Sequence, residues 1–350
     1  MTFDAADAAI NPLQARVPAE PPGKGDRGRR GPTHGLDQLH LRGSVGRVSA
    51  MLGRHVELPV ADGVLSGVDF GGRGTGVLLV HGSGHNAAAW ADVAPRLVDH
   101  CHPVALDLRG HGHSEPTSST PEQYWRDLGD VVAALGWDRP LLVGHSTGGY
   151  AVTAAAAAGL VDPSAVCVVD GMVLDDRDTA ARGQTQWRAP EAAARLREMF
   201  RYGWRADEQQ MSAYVERCAG EAATDWLNAG ARPELVRELM RRAFLRCADG
   251  RWQRRPTTEE IATVSDPDPH APIYHPSVDV YARVRCPLTF VLPTRGFYAQ
   301  RRDELQAVVD SAPDRELLDI AANHNVPMTR PAELAAVIVE LVRRTSKPRS

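Results

Sequence analysis

Ser146 stands in Gly144-His-Ser-Thr-Gly148, the spacing G-x-S-x-G. An apolar run that reads as a strand, Pro140-Leu-Leu-Val143, precedes it, and a small-residue helical run from Gly148 to Leu160 follows. In that context the motif is a sharp strand-to-helix turn that pushes a serine hydroxyl into the open. Glycines two residues either side let the backbone pack closely. The helix N-terminus adds a positive field where negative charge develops. A Gly-rich turn without a role in catalysis has similar letters, but the strand, the helix and Gly149 favour a nucleophile. His81-Gly-Ser-Gly84 follows another short apolar run, Val77-Leu-Leu-Val80. A turn there aims a backbone N–H at a substrate carbonyl oxygen. The N–H groups of Ser83 and Thr147 are therefore the expected oxyanion hole.

A nucleophilic serine needs a base that hydrogen-bonds it and then passes the proton to the leaving group. Of 13 histidines, His324 alone combines late chain order with a loop between the last strand and the last helix, in Ala321-Ala-Asn-His-Asn-Val-Pro327. His145 neighbours the nucleophile, but on a tight turn its side chain points elsewhere. In Asp107-Leu-Arg-Gly-His-Gly-His-Ser114, two histidines two residues apart lack a third ligand at recognisable spacing, so a metal site is not expected. Asp107 and Arg109 are expected to fix that loop through a charge-assisted pair.

Several elements must position these groups. His55–Val60 and Val64–Phe70 read as two strands around Ala61-Asp62-Gly63, a hairpin signal. Strands are also expected at 77–80, 102–107, 140–143 and 165–169, with helices near 87–98, 121–135 and 148–160. Trp125, Leu128, Val131, Val132 and Leu135 share one face of the second helix. Short all-apolar strands alternating with helices predict an α/β fold with a mostly parallel sheet covered on both faces. From Gly171 to Arg285 the pattern turns helical with no convincing strand. Strand signals resume at Pro287–Leu292 and Glu316–Ile320, and a last helix runs from Pro331 to about Arg343. The expected organisation is a tail over 1–53, a core over 54–170 and 286–344, and a helical cap over 171–285, inserted after the sixth strand. The tail reading rests on composition: ten of the 25 residues from Asn11 to Gly35 are Gly or Pro.

Composition excludes several classes. Of 350 residues, 43% are hydrophobic and 24% charged, which is ordinary for a globular chain. No run approaches the roughly 18 to 20 apolar residues of a membrane span. The net charge of −4 gives no reason to expect nucleic acid or an anionic membrane as a partner. Five widely spaced cysteines without a CxxC, and no apolar leader, point to reduced thiols in the cytoplasm. Oligomeric state is left open.

The series HGSG, DLRGHGHS, GHSTGG and NHNVP-x-x-RP resembles the α/β-hydrolase superfamily in order and spacing, over about Arg54 to Arg343. The elbow GHSTGG also resembles that of esterases and of cofactor-free haloperoxidases, or perhydrolases. The resemblance implies a triad acid, often an Asp just after the seventh strand. Here that strand runs into Pro293-Thr-Arg-Gly-Phe-Tyr298, with Arg295 about where the acid would stand. Some members take the acid from the end of the sixth strand, which here is Asp170. Asp303 is a second candidate, and an Arg295–Asp170 pair would count against Asp170.

These residues together point to a serine hydrolase that needs no metal or organic cofactor. Its expected substrate is a small carboxylic ester or lactone, cleaved through an acyl-enzyme. Trp187, Phe200, Tyr202, Trp204, Tyr214 and Trp226 make the cap aromatic. Most should pack on one another, and any that line a pocket would suit an apolar or ring-bearing substrate. Amide, thioester or C–C cleavage, perhydrolysis and acyl transfer use the same triad. A ligand-binding protein without catalysis is the reading from a different class. Serine at 146 argues against dehalogenase or epoxide hydrolase chemistry, for which the family uses Asp.

Overall fold

The computed structural model describes residues 53–118, 120, 122–187, 190–263 and 276–346. Apart from Gly53, the expected tail lies outside the described residues, as does the side chain of Trp187. Eight strands form one sheet: β1 (Arg54–Val60), β2 (Gly63–Asp69), β3 (Gly76–Val80), β4 (His102–Leu106), β5 (Leu141–His145), β6 (Ala165–Val169), β10 (Leu288–Arg295) and β11 (Arg315–Asn323). Their order is β1-β2-β4-β3-β5-β6-β10-β11. The β1–β2 and β2–β4 pairs are antiparallel and the rest are parallel.

Every residue of β3, β5 and β6 is buried, because helices cover both faces. Side chains alternate between the faces with period two. Leu79, Val143 and Cys167 point to the face closed by Trp90, Leu97 and the last helix, Pro331–Thr345. Leu78, Leu142 and Val166 point to the face closed by helices Gln123–Ala134, Thr147–Ala157 and Arg302–Asp310. The helix expected near 87–98 is instead two 3-10 turns, Ala87–Trp90 and Ala94–Arg96. Asn86 caps the first turn through its side chain, and Pro95 cannot donate to a continued helical ladder.

The insertion between β6 and β10 is mainly helical: Arg177–Trp187, Pro190–Phe200, Glu208–Glu221, Pro233–Arg242 and Thr258–Thr263. It also carries three short antiparallel strands, β7 (Arg205–Ala206), β8 (Phe244–Arg246) and β9 (Trp252–Arg254), which corrects the strand-free expectation. Strands of two or three residues are too short to show alternation in a sequence. Trp204, Tyr214 and Phe244 meet edge to face at 5.6 to 6.1 Å, so these aromatics pack on one another inside the cap. The cap is tied to the core by buried polar links. Arg242 pairs with Asp107 at 2.8 Å, and Asn86 Nδ2–H donates to the Leu239 carbonyl at 2.8 Å.

Candidate active site

Strand register brings the singled-out residues to one edge of the sheet. His145 of β5 is level with Val169 of β6, so Ser146 and Asp170 each stand one residue past adjoining strands. Val80 of β3 is level with Gly144, so the loop from His81 begins beside the elbow. Arg295 of β10 is level with Asn323 of β11, which delivers His324 to the same edge. The carboxyl edge of such a sheet is where loops can surround a ligand.

Ser146 has φ 53° and ψ −126°, a conformation that L-residues rarely adopt. Its N–H donates to the Val169 carbonyl at 3.0 Å, and Gly149 N–H returns to its carbonyl at 2.8 Å. These bonds hold the strained turn, and the serine stays partly exposed. A Cβ at Gly148 would sit 2.4 Å from the Val80 carbonyl oxygen, so only glycine admits this helix against β3.

Asp170 is fully buried and holds His324 Nδ1 at 2.6 Å. Asp170 also accepts the N–H groups of Phe297 at 2.9 Å and Tyr298 at 3.4 Å. Arg295 is exposed, and among the described residues Asp170 is held by His324, Phe297 and Tyr298 instead. Asp303 lies on an exposed stretch of the helix Arg302–Asp310. The His324 ring centroid is 4.6 Å from that of His145, the residue before the elbow serine. The His145 side chain turns inward, where its Nε2–H donates to the His324 carbonyl at 2.9 Å. Burial, then the neighbouring His324 and His85, hold the His145 pKa well below the ordinary range, so this donor is neutral.

Ser83 and Thr147 also meet, with their hydroxyls 2.7 Å apart. Thr147 is the first residue of its helix, where a backbone N–H has no acceptor within the helix. His81 braces this loop. Its Nδ1–H donates to the Gly82 carbonyl at 2.7 Å, and its Nε2 accepts the Leu108 N–H at 2.9 Å. Burial is the main cause that lowers the His81 pKa to about 4. The cap reaches the same loop: a Cβ at Gly84 would lie 2.0 Å from the Tyr202 hydroxyl.

The expected Asp107–Arg109 pair does not form. Asp107 takes Arg242 of the cap and the N–H groups of Ala87 and His113. Arg109 instead forks onto Asp127 at 2.7 Å and Asp62 at 2.6 Å. Both residues fix the loop, with separate partners. Sequence reasoning also misses Phe297, whose ring stacks on His324, and the inward donor His145. In the run Thr294-Arg-Gly-Phe-Tyr298 the informative residue type would be a carboxylate, and a phenylalanine carries no such signal. Among the described residues no group of His, Cys, Asp or Glu is placed to hold a metal ion. No helix among them is long and apolar enough to cross a membrane.

Comparison with known proteins agrees with this architecture. Mouse (Mus musculus) protein phosphatase methylesterase 1 is 41% identical over 110 residues, 29% of this chain and 28% of that protein. The human (Homo sapiens) protein of that name is 38% identical over 110 residues, again 29% of this chain and 28% of the relative. The match thus spans under a third of the length of these relatives. Among solved structures, an E-2-(acetamidomethylene)succinate hydrolase superposes with TM-score 0.64 at 20% identity, over 83% of this chain and 99% of that one. A thermophilic esterase from Thermogutta terrifontis superposes with TM-score 0.59 at 20% identity, over 84% of this chain and 100% of that one. At these identities the structures speak for fold alone. The profile described as "Alpha/beta hydrolase family" matches residues 77–337. That stretch is well over half of the chain, which belongs to the alpha/beta hydrolase family.

Proposed function

We propose that the protein is a serine hydrolase that cleaves a small carboxylic ester through an acyl-enzyme on Ser146. The observation that carries this reading is the buried Asp170–His324 bond of 2.6 Å beside a strained, partly exposed serine at a helix N-terminus. In this reading Asp170 accepts from Nδ1–H, which leaves Nε2 of His324 as the basic nitrogen. Nε2 takes the Ser146 proton as Oγ bonds to the carbonyl carbon. The carbonyl electron pair moves to oxygen, where the N–H groups of Ser83 and Thr147 stabilise it. Collapse expels the alcohol, which receives the proton from His324. Water then attacks the acyl-enzyme with the same histidine as base, releasing the acid and restoring the serine. An ester is the bond named in the methylesterase relatives, which supports that choice over an amide.

Intact mass after fluorophosphonate treatment tests the reading. A single adduct is expected on the wild type, none on Ser146→Ala, and labelling at least about 100-fold slower on His324→Ala. A wild type that is folded yet stays unlabelled by both this probe and p-nitrophenyl acetate would refute an activated serine.

A further inference from the structure

We propose that Phe297 is a positioning residue for His324: the turn after β10 carries no acid, and instead orients the acid and the histidine supplied by other strands. This builds on the reading of His324 as the base. The Asp170 bond fixes one point of the imidazole, and the ring can still swing about that point. The Phe297 ring fixes its plane, with centroids 3.8 Å apart and planes 19° apart. That is closer than the usual 4.5 to 7 Å of aromatic pairs, so the two faces lie in full contact. Phe297 is in turn fixed by its own backbone. Its N–H donates at 2.9 Å to Asp170 Oδ2, the oxygen that holds His324 Nδ1. The bond anchors the Phe297 backbone beside the acid, so only rotation about its side-chain torsions can take the ring off the histidine.

The turn can come this close only because of Gly296, where a Cβ would lie 2.4 Å from Asp170 Oδ2. On the cap side the Trp226 ring lies 5.9 Å from that of Phe297. A ring face against the imidazole also favours the imidazolium that forms when Ser146 gives up its proton. Phe297 thus orients the base and steadies its charged form.

The test uses the full chain with Phe297→Leu and Phe297→Met, two apolar side chains of similar volume without a ring, and with Phe297→Tyr, which keeps the ring. One readout needs no turnover: the far-downfield proton resonance of the short Asp170–His324 bond, assigned by its loss in His324→Ala. It should broaden or vanish in the Leu and Met variants and persist in Tyr. With p-nitrophenyl acetate, kcat should fall about tenfold in Leu and Met, with KM within about twofold, and recover in Tyr. An unchanged resonance and kcat in Leu or Met would overturn the proposal, as would a wild type without the resonance. A wild type that shows the resonance but takes no fluorophosphonate would sink the esterase reading and leave this positioning role intact.

Discussion

Asp170 and Asp303 differ by position rather than by chemistry. Asp170 is fully buried against His324 Nδ1, whereas Asp303 sits exposed on a helix. Asn at 170 keeps the volume but presents an amide where the imidazole needs a charged acceptor. We expect kcat of Asp170→Asn to fall by about 10⁴ with the melting temperature little changed. Asp303→Asn should match wild type, and steady-state rates on p-nitrophenyl acetate decide between them. Wild-type turnover in Asp170→Asn would remove that residue from the proposed triad. In the sequence, spacing and chain order single out Ser146 and His324, and the family resemblance points to Asp170 at the end of the sixth strand. Phe297 is not legible there. Its contribution is a ring face and a backbone N–H, and neither has a residue-type signature.

Elements are legible in proportion to their length. The core strands of five to nine residues and the helices around them follow apolar period, while the two- and three-residue cap strands leave no period to read. Links between elements are harder still. Arg242 and Asp107 are 135 residues apart, and nothing local in the sequence joins them. Burial disfavours ionised Asp107, yet Arg242 and the Ala87 N–H outweigh it and bring its pKa to about 2. Removing the cation strands a buried carboxylate, so Arg242→Ala should cost about 3 to 5 kcal/mol. Arg232 makes a comparable bond to Asp92 at 2.9 Å, but its side chain is 49% exposed. Solvent screens that pair, and Arg232→Ala should cost about 1 kcal/mol or less. Urea midpoints of the two variants test the contrast. Equal losses would show that the Asp107 link does not anchor the cap.

For the whole molecule, the buried histidines set an acid limit. His81 is fully buried and neutral by geometry, since Nε2 already accepts the Leu108 N–H and has no room for a proton. Its folded pKa of about 4 lies below the 6.5 of an exposed histidine, with burial as the leading cause. Between these values the unfolded chain binds more protons than the folded one, so stability rises with pH across that window. The contribution is complete above about pH 6.5 and is lost progressively as the pH falls towards 4. At pH 5 this one group lowers stability by about 2 kcal/mol relative to pH 7. His111 and His145, whose pKa values burial also holds far below the ordinary range, act in the same direction. The depressed carboxylates Asp62, Asp69 and Asp107 withdraw their share only below the ordinary carboxylate value near 3.8, outside this window. A fall in the urea midpoint of at least about 1 M between pH 7 and pH 5 would therefore report the histidines. Replacing His81 with Gln should lower the midpoint at pH 7 and flatten its decline, because the substituted side chain has no proton to gain. Midpoints that agree at pH 7 and pH 5 would show that these rings reach water in the folded state, and the neutral brace assigned to His81 would fall with them.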